Sequence, residues 1–389
     1  MTQDTQTPKT SAPNFKDFAH IGPGTPAGAL LRQFWQPVML SSDLAVSRAK
    51  RVEIFGEFFT AYRGADGRAH FVDDRCPHRL TALSLGRVEG DEIRCFYHGW
   101  GFDPSGACVR QPAEKNPERK HRIRIRSFPV HEYLGFVFAY LGTGEPPEFP
   151  LFPEVDVERD RVQYGARNVP CNFFQRLEND LDEVHLHFVH SVSNEEIGLE
   201  EMPEIIVSEA EFGILRKGVR SDKEANVTRT GRIFFPNCTM VITPSRGSRQ
   251  EWVLHLAWRV PVNDTKMISF MIDARKNAGG SLNKMPEIDP HPDFLTQEIL
   301  EGRMRIQDVD SKYPGLFNVQ DNVALAGQGE IVDRAKERLG ESDKGIIFMR
   351  NLWEREMRAL HEGRPLKAWT RPPQSLIEDG SREVQLASS

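Results

Sequence analysis

The sequence predicts an α+β protein in two parts: an N-terminal all-β unit, then a C-terminal unit in which an antiparallel sheet is combined with helices. Three observations carry this prediction. From Arg51 to Tyr140 short alternating runs (VEIFGEFFTAYR, RAHFVDD, EIRCFYHGWGFD, HRIRIRSFPV, LGFVFAYLG) are cut by Gly, Pro and Asp turns, the pattern of a small β unit. The Pro-rich segment GEPPEFPLFPEVD at 144–156 interrupts the pattern and cannot hold regular structure. Beyond it, strand-like runs over 203–275 give way to helical patterning from Asp293 to Glu362.

Taken in order, residues 1–20 read as a disordered lead-in. Thr25-Pro26 has the form of a helix N-cap followed by Pro at the first helical position, so a short helix is expected from Pro26 to about Trp35. The first domain then covers 21–150 and the second 151–363. The second opens with a strand and a helix in RNVPCNFFQRLENDLDEVHLHFVHSV, continues through the runs GILRKGVR, VTRTGRIFFP, CTMVITP, EWVLHLAWRVPV and TKMISFMIDA, and includes a late helical segment QGEIVDRAKERLG that ends at a Gly. Residues 364–389, rich in Pro, Ser and charge, read as a loosely attached tail.

At 389 residues, with 39% hydrophobic and 27% charged residues, 30 Gly and 26 Pro, the composition excludes collagen-like, coiled-coil and wholly disordered classes. A net charge of −6 gives no electrostatic reason to expect nucleic acid as a partner. The five cysteines are too few and odd in number for a secreted disulfide framework, and fit metal ligation or burial in a reducing compartment. The polar opening and the lack of a long apolar window predict a soluble, cytoplasmic protein without a membrane span.

The most specific motif is Cys76-Pro-His78, followed after 16 residues by Cys95-Phe-Tyr-His98-Gly-Trp100. Each half sets one thiolate and one imidazole near a predicted hairpin tip, so two facing loops can present four ligands. Two Cys on one iron and two His on the other make a Rieske [2Fe–2S] cluster. Two Cys and two His can also hold a structural zinc, in which case the chain would be a zinc-stabilised, non-catalytic binding protein. Cys-x-His differs from the usual zinc spacing. Cys108, Cys171 and Cys238 lack a nearby His partner and read as small buried hydrophobes.

CPHR…CFYHGW resembles the Rieske domain of the ring-hydroxylating, Rieske-type non-haem iron oxygenases. HIGPGTPAGALLRQFWQPV ahead of it is similar to the entry of their phthalate-dioxygenase-like branch, which includes O-demethylases of lignin-derived aromatics. The resemblance runs from about residue 18 to about 362. It implies an oxygenase alpha subunit with a helix-grip-like catalytic domain, a mononuclear Fe(II), a [2Fe–2S] cluster, and a homotrimer or trimer-based oligomer.

After the linker, Asp182-x2-His185-x4-His190 resembles the family's iron helix. Oxygen activation at ferrous iron uses two imidazoles and one carboxylate on one face, leaving positions open. On an ideal helix His185 and His190 point roughly 140° apart, so a distortion such as a π-bulge is demanded. His187 competes, but the family spacing selects His185 and His190. By resemblance Asp182 links His185 to His98 or His78 of a neighbouring subunit; as a plain side chain it is a helix-surface carboxylate. Asn179 reads as a residue supporting the site or part of the helix N-terminus. The third ligand by resemblance is Asp321, preceded by Gln320, rather than Asp308, Asp310, Glu330 or Asp333.

Other features are less specific. His121-Arg-Ile-Arg-Ile-Arg126 alternates cation and Ile, a solvated basic face or a dock for an acidic reductase. Arg246 and Arg249 could bind a substrate carboxylate. Glu183 stands where true phthalate dioxygenases carry a small polar residue, which argues against phthalate itself. The chain has no G-x-G-x-x-G after a strand and no plant-type ferredoxin spacing, so electrons from NAD(P)H must arrive through a separate flavin/iron–sulfur reductase. The expected activity is ring dihydroxylation of an aromatic, carboxylated substrate by dioxygen, with O- or N-demethylation as the alternative.

Overall fold

The computed structural model describes residues 13–190, 201–221, 226–245, 248–372 and 374–376, without the side chains of 117–119, 221, 226–227, 244–245 and 248–252. The calls on Arg246 and Arg249 lie outside what is described. Thr25 Oγ1 accepts a hydrogen bond from the Gly28 N–H at 3.2 Å, so the first helix begins where its cap directs. It ends sooner than expected, at Leu31. Trp35–Leu40 is instead a strand antiparallel to Phe136–Tyr140, because the Trp35 ring is taken up between Tyr140 and Phe149.

The N-terminal unit is all β. Trp35–Leu40, Phe136–Tyr140 and Val130–Tyr133 form one sheet, and Arg48–Ile54, Glu57–Arg63, Ala69–Asp73 and Ser127–Phe128 a second. A third, of Arg87–Glu89, Glu92–Arg94, Gly101–Phe102 and Cys108–Arg110, carries one of the Cys/His loops. The HRIRIR segment forms no strand, yet Arg122, Arg124 and Arg126 are exposed while Ile125 is buried, as the alternation implies.

The C-terminal unit is an eight-stranded sheet ordered Glu204–Ala210, Gly213–Ser221, Asn226–Phe234, Cys238–Ser245, Ser248–Pro261, Met267–Arg275, Arg161–Val169, Ser281–Lys284. Every pairing is antiparallel except the last, where Ser281–Lys284 runs parallel to Arg161–Val169. The helices Phe173–Leu181 and Lys344–His361 cover it. Trp353, fully buried, packs against Phe173, Phe174 and Phe235.

Three expectations fail on packing grounds. QGEIVDRAKERLG is not helical; the helix before it, Leu316–Ala326, is followed by turns. Gly329 takes a φ of 95°, and the segment is drawn across the Phe173–Leu181 helix by Gln175, which accepts from the Val332 N–H at 3.1 Å, and by Glu178, which accepts from Arg334 at 2.9 Å. Residues 13–20 of the expected lead-in are packed: Phe18 stacks on Phe174 and Phe15 meets His361. The start of the expected loose tail is held too, with Trp369 stacked on Phe235 and Glu154 bound by Arg371 and the Leu376 N–H.

The Pro-rich stretch holds no helix or strand, but it is a strap rather than a free linker. Phe152 sits edge-on to Phe234 and Trp258. One hydrophobic cluster runs through both units, from Phe55, Phe59 and Phe71 to Trp258, Phe270 and Trp353, and a smaller one underlies the Cys/His loops.

Candidate metal centres

The two Cys/His loops are built alike. Cys76 N–H donates to Thr81 O at 3.0 Å and its carbonyl accepts from the Leu80 N–H at 2.8 Å; Cys95 N–H donates to Trp100 O at 2.8 Å and its carbonyl accepts from the Gly99 N–H at 3.0 Å. The fourth residue after each Cys has a positive φ, 61° at Leu80 and 72° at Gly99. The shared turn sinks both thiols, leaving Cys76 1% and Cys95 3% exposed, and sets the two imidazoles together, ring centroids 4.5 Å apart. His78 lies flat on Trp100 at 4.6 Å. Burial pushes the Cys76 thiol up to about 12, so a metal must displace its proton to bind.

Tetrahedral zinc would draw all four donors within about 3.8 Å of one another. Among the described residues no three of Cys76, His78, Cys95 and His98 gather even within 4.8 Å, whereas His185, His190 and Asp321 do. Donors divided between a thiol pair and an imidazole pair suit a two-iron cluster. Cys108, Cys171 and Cys238 are free and buried, as expected.

The second set comes from two helices, with a third leading into the first of them. Asn172 caps Phe173–Leu181 by accepting from the Phe174 N–H at 3.0 Å. The helix breaks at Asp182, which is extended at ψ 105°. A single turn, His185–Val189, follows, and His190 leaves helical geometry at φ −104°, ψ 23°. The two imidazoles therefore converge through the unwound end at His190 rather than a π-bulge; the break at Asp182 lies ahead of both. The Leu316–Ala326 helix brings in Gln320 and Asp321.

Asp321 Oδ1 lies 3.6 Å from His185 Nε2 and 3.2 Å from His190 Nε2, and is buried without a hydrogen-bond partner. The far ring nitrogens are engaged: His190 Nδ1 pairs with Gln320 Oε1 at 2.8 Å, and His185 Nδ1 with the Asp182 carbonyl. Both Nε2 atoms are thus left as acceptors toward one point. Burial lowers the His185 pKa. Burial alone would raise the Asp321 carboxyl, but Arg176, His190 and His185 hold it well below the usual carboxylate range.

Asp182 approaches His185 mainly through its main chain. Its Oδ1 accepts from the Val184 and His185 N–H groups at 2.9 and 3.2 Å, and Oδ2 stays 4.0 Å from His185 Nδ1 with the side chain 30% exposed. Asn179 sits near the helix C-terminus, not its N-terminus, and accepts from Arg176. Glu183 is wholly buried and bound by Arg216, Arg220 and Arg229. His187 is not in the converging set. Asp308 is taken by Arg305 and Asp333 by Lys336. Sequence reasoning missed Arg176 and the Arg259–Asp180 pair behind it; the i, i+4 spacing of Arg176 and Asp180 was the available signal.

The family model for the Rieske [2Fe-2S] domain matches residues 34–129. The 5,5'-dehydrodivanillate O-demethylase oxygenase subunit of Sphingobium sp. (strain NBRC 103272 / SYK-6) is 32% identical over 378 residues, 93% of this chain and 84% of that protein. The chain belongs to the Rieske-type non-haem iron oxygenases. A further Rieske oxygenase relative, the phenoxybenzoate dioxygenase subunit alpha of Ectopseudomonas oleovorans, is 31% identical, covering 88% of this chain and 84% of its own. The fold matches the terminal oxygenase of carbazole 1,9a-dioxygenase from Novosphingobium sp. KA1, TM-score 0.63 at 21% identity over 86% of this chain and 95% of that one. As a Rieske terminal oxygenase the protein uses a [2Fe–2S] cluster and a mononuclear iron, and a separate protein supplies its electrons. No helix among the described residues is long and apolar enough to cross a membrane.

Proposed function

We propose that Cys76 and Cys95 hold one iron of the cluster, His78 and His98 the other, and that His185, His190 and Asp321 hold the mononuclear ferrous ion. The observation that carries the second assignment is the buried, unbonded Asp321 Oδ1 facing two Nε2 atoms. When bound, the cluster supplies single electrons and the iron activates dioxygen. The chain's own residues orient the ligands: Gln320 keeps the proton of His190 on Nδ1, and the Asp182 carbonyl does the same for His185.

The substrate is an aromatic carboxylate. Relatives named for phenoxybenzoate, 3-chlorobenzoate and phthalate support this class. Ring dihydroxylation is the first reading; the O-demethylase relative favours a second, oxidation of an aryl methyl ether with release of formaldehyde. Turnover of a panel of aromatic acids and methoxylated aromatic acids with a surrogate reductase, scored for diol against formaldehyde, separates the two. Oxygen uptake with none of them sinks the carboxylate assignment.

The protein works as a homotrimer in the cytoplasm with a flavin/iron–sulfur reductase drawing on NAD(P)H. Asp182, its side chain 30% exposed, accepts through Oδ2 from His98 or His78 of the partner subunit. Replacing Asp182 by Asn should keep both metal centres and slow reoxidation of the reduced cluster in single turnover; an unchanged rate removes Asp182 from that role.

A further inference from the structure

We propose that Arg176 is a positioning residue for the mononuclear iron: its guanidinium occupies Asp321 Oδ2, so that the carboxylate offers the metal Oδ1 alone. The inference rests on the assignment of His185, His190 and Asp321 as ligands.

The two oxygens of Asp321 face different partners. Oδ1 is turned to the imidazoles, while Oδ2 lies 3.3 Å from Arg176 Nη1. Arg176 projects from the Phe173–Leu181 helix, and its Nη2 lies 3.3 Å from Asp180 Oδ1, one turn along the same helix. Asp180 is gripped in turn by Arg259, Nε to Oδ2 at 2.6 Å and Nη2 to Oδ1 at 2.8 Å. Arg259 Nη1 is anchored to Ser269 Oγ at 2.8 Å on the neighbouring strand. Asp321, Arg176, Asp180 and Arg259 form a row of alternating charge with side chains 13%, 16%, 8% and 2% exposed.

A carboxylate beside a metal can bind through one oxygen or both. With Oδ2 sharing its electron density with the Arg176 cation, Oδ1 is the stronger donor to a metal, and turning Asp321 to offer both oxygens would weaken the Asp321–Arg176 ion pair and leave the guanidinium with Asn179 and Asp180 alone. The arrangement thus keeps free the coordination position that Oδ2 would fill. A guanidinium spans Asp321, Asp180 and Asn179 at once because its donors are spread in a fixed plane; a lysine ammonium reaches only part of this.

The test uses the full-length holoenzyme, with the cluster's electron paramagnetic resonance signal as a gauge of folding. The Arg176→Gln variant should retain that signal, change the splitting of the ferrous–nitric oxide spectrum, and weaken ferrous retention against a chelator at least about tenfold. Arg176→Lys should recover part of the retention. A wild-type nitrosyl spectrum and wild-type retention in Arg176→Gln overturn the proposal. Should the variant lose the cluster as well, a crystal structure of the wild-type holoenzyme decides, with Asp321 bound through both oxygens counting against it and through Oδ1 alone for it. An unchanged nitrosyl spectrum in His190→Ala would instead defeat the ligand assignment.

Discussion

Gln320 and Glu183 show how single residues support a site they do not complete. Gln320 accepts from His190 Nδ1 across 130 residues of sequence. Leucine there should weaken mononuclear iron binding about ten- to a hundredfold while leaving the cluster spectrum intact, which iron analysis with spectroscopy reads directly. Glu183 binds two buried arginine heads, Arg216 and Arg220, and the partly buried Arg229. Its replacement by Ala should destabilise the protein by about 3–5 kcal/mol, measured by chemical denaturation; a loss under about 1 kcal/mol would mean that the arginines find other partners. From sequence Glu183 was visible only as a departure from a family pattern, because its partners lie on strands more than thirty residues away. His185 and His190 were picked out by a family spacing contained in one short segment, whereas Arg176 gained meaning only once Asp321 was beside it.

Among the elements, the turn that unwinds at His190 does what an ideal helix cannot. The sequence demanded a distortion between His185 and His190 but could not choose its form, nor show that Asp182 would accept from the Val184 and His185 N–H groups to start the turn ahead of it. The sheet answers with small residues. A Cβ at Gly218 would come within 2.5 Å of Glu183 Cγ, so Gly218→Ala should cost about 1–3 kcal/mol through overpacking. The long C-terminal helix is tied to the sheet edge by Glu209, which binds Arg355 and Lys367. The Arg355 hydrogen bonds lead in pulling its pKa from 4.5 to about 2. A depressed carboxyl stabilises fully above about pH 4.5, and that contribution is lost as pH falls toward 2. Glu209→Gln should therefore lower the melting temperature at pH 7, by about 2 °C at most for a partly exposed pair, and the difference from wild type should shrink as the pH is lowered. A gap that widens in acid would reverse the sign. The strands and turns were readable because alternation is local; the lapse at QGEIVDRAKERLG came from Gln175 and Glu178, whose pull on that segment is tertiary.

Across the whole molecule, two domains were expected and two sheet systems are present, but one core serves both. Gln36 and Asn237 exchange amide hydrogen bonds at 3.2 and 2.9 Å across the boundary, both almost fully buried. Asn237→Ala strands the Gln36 amide and should cost about 1–3 kcal/mol. Heating should bleach the cluster chromophore and melt the catalytic sheet in one calorimetric transition; two resolved transitions would contradict a shared core. The loop donors from Cys76 to His98 are close neighbours in sequence, while the mononuclear set waits for Asp321. On the proposed assignments, then, the four cluster ligands leave the ribosome long before Asp321, so the two sets of donors become complete at different moments of synthesis.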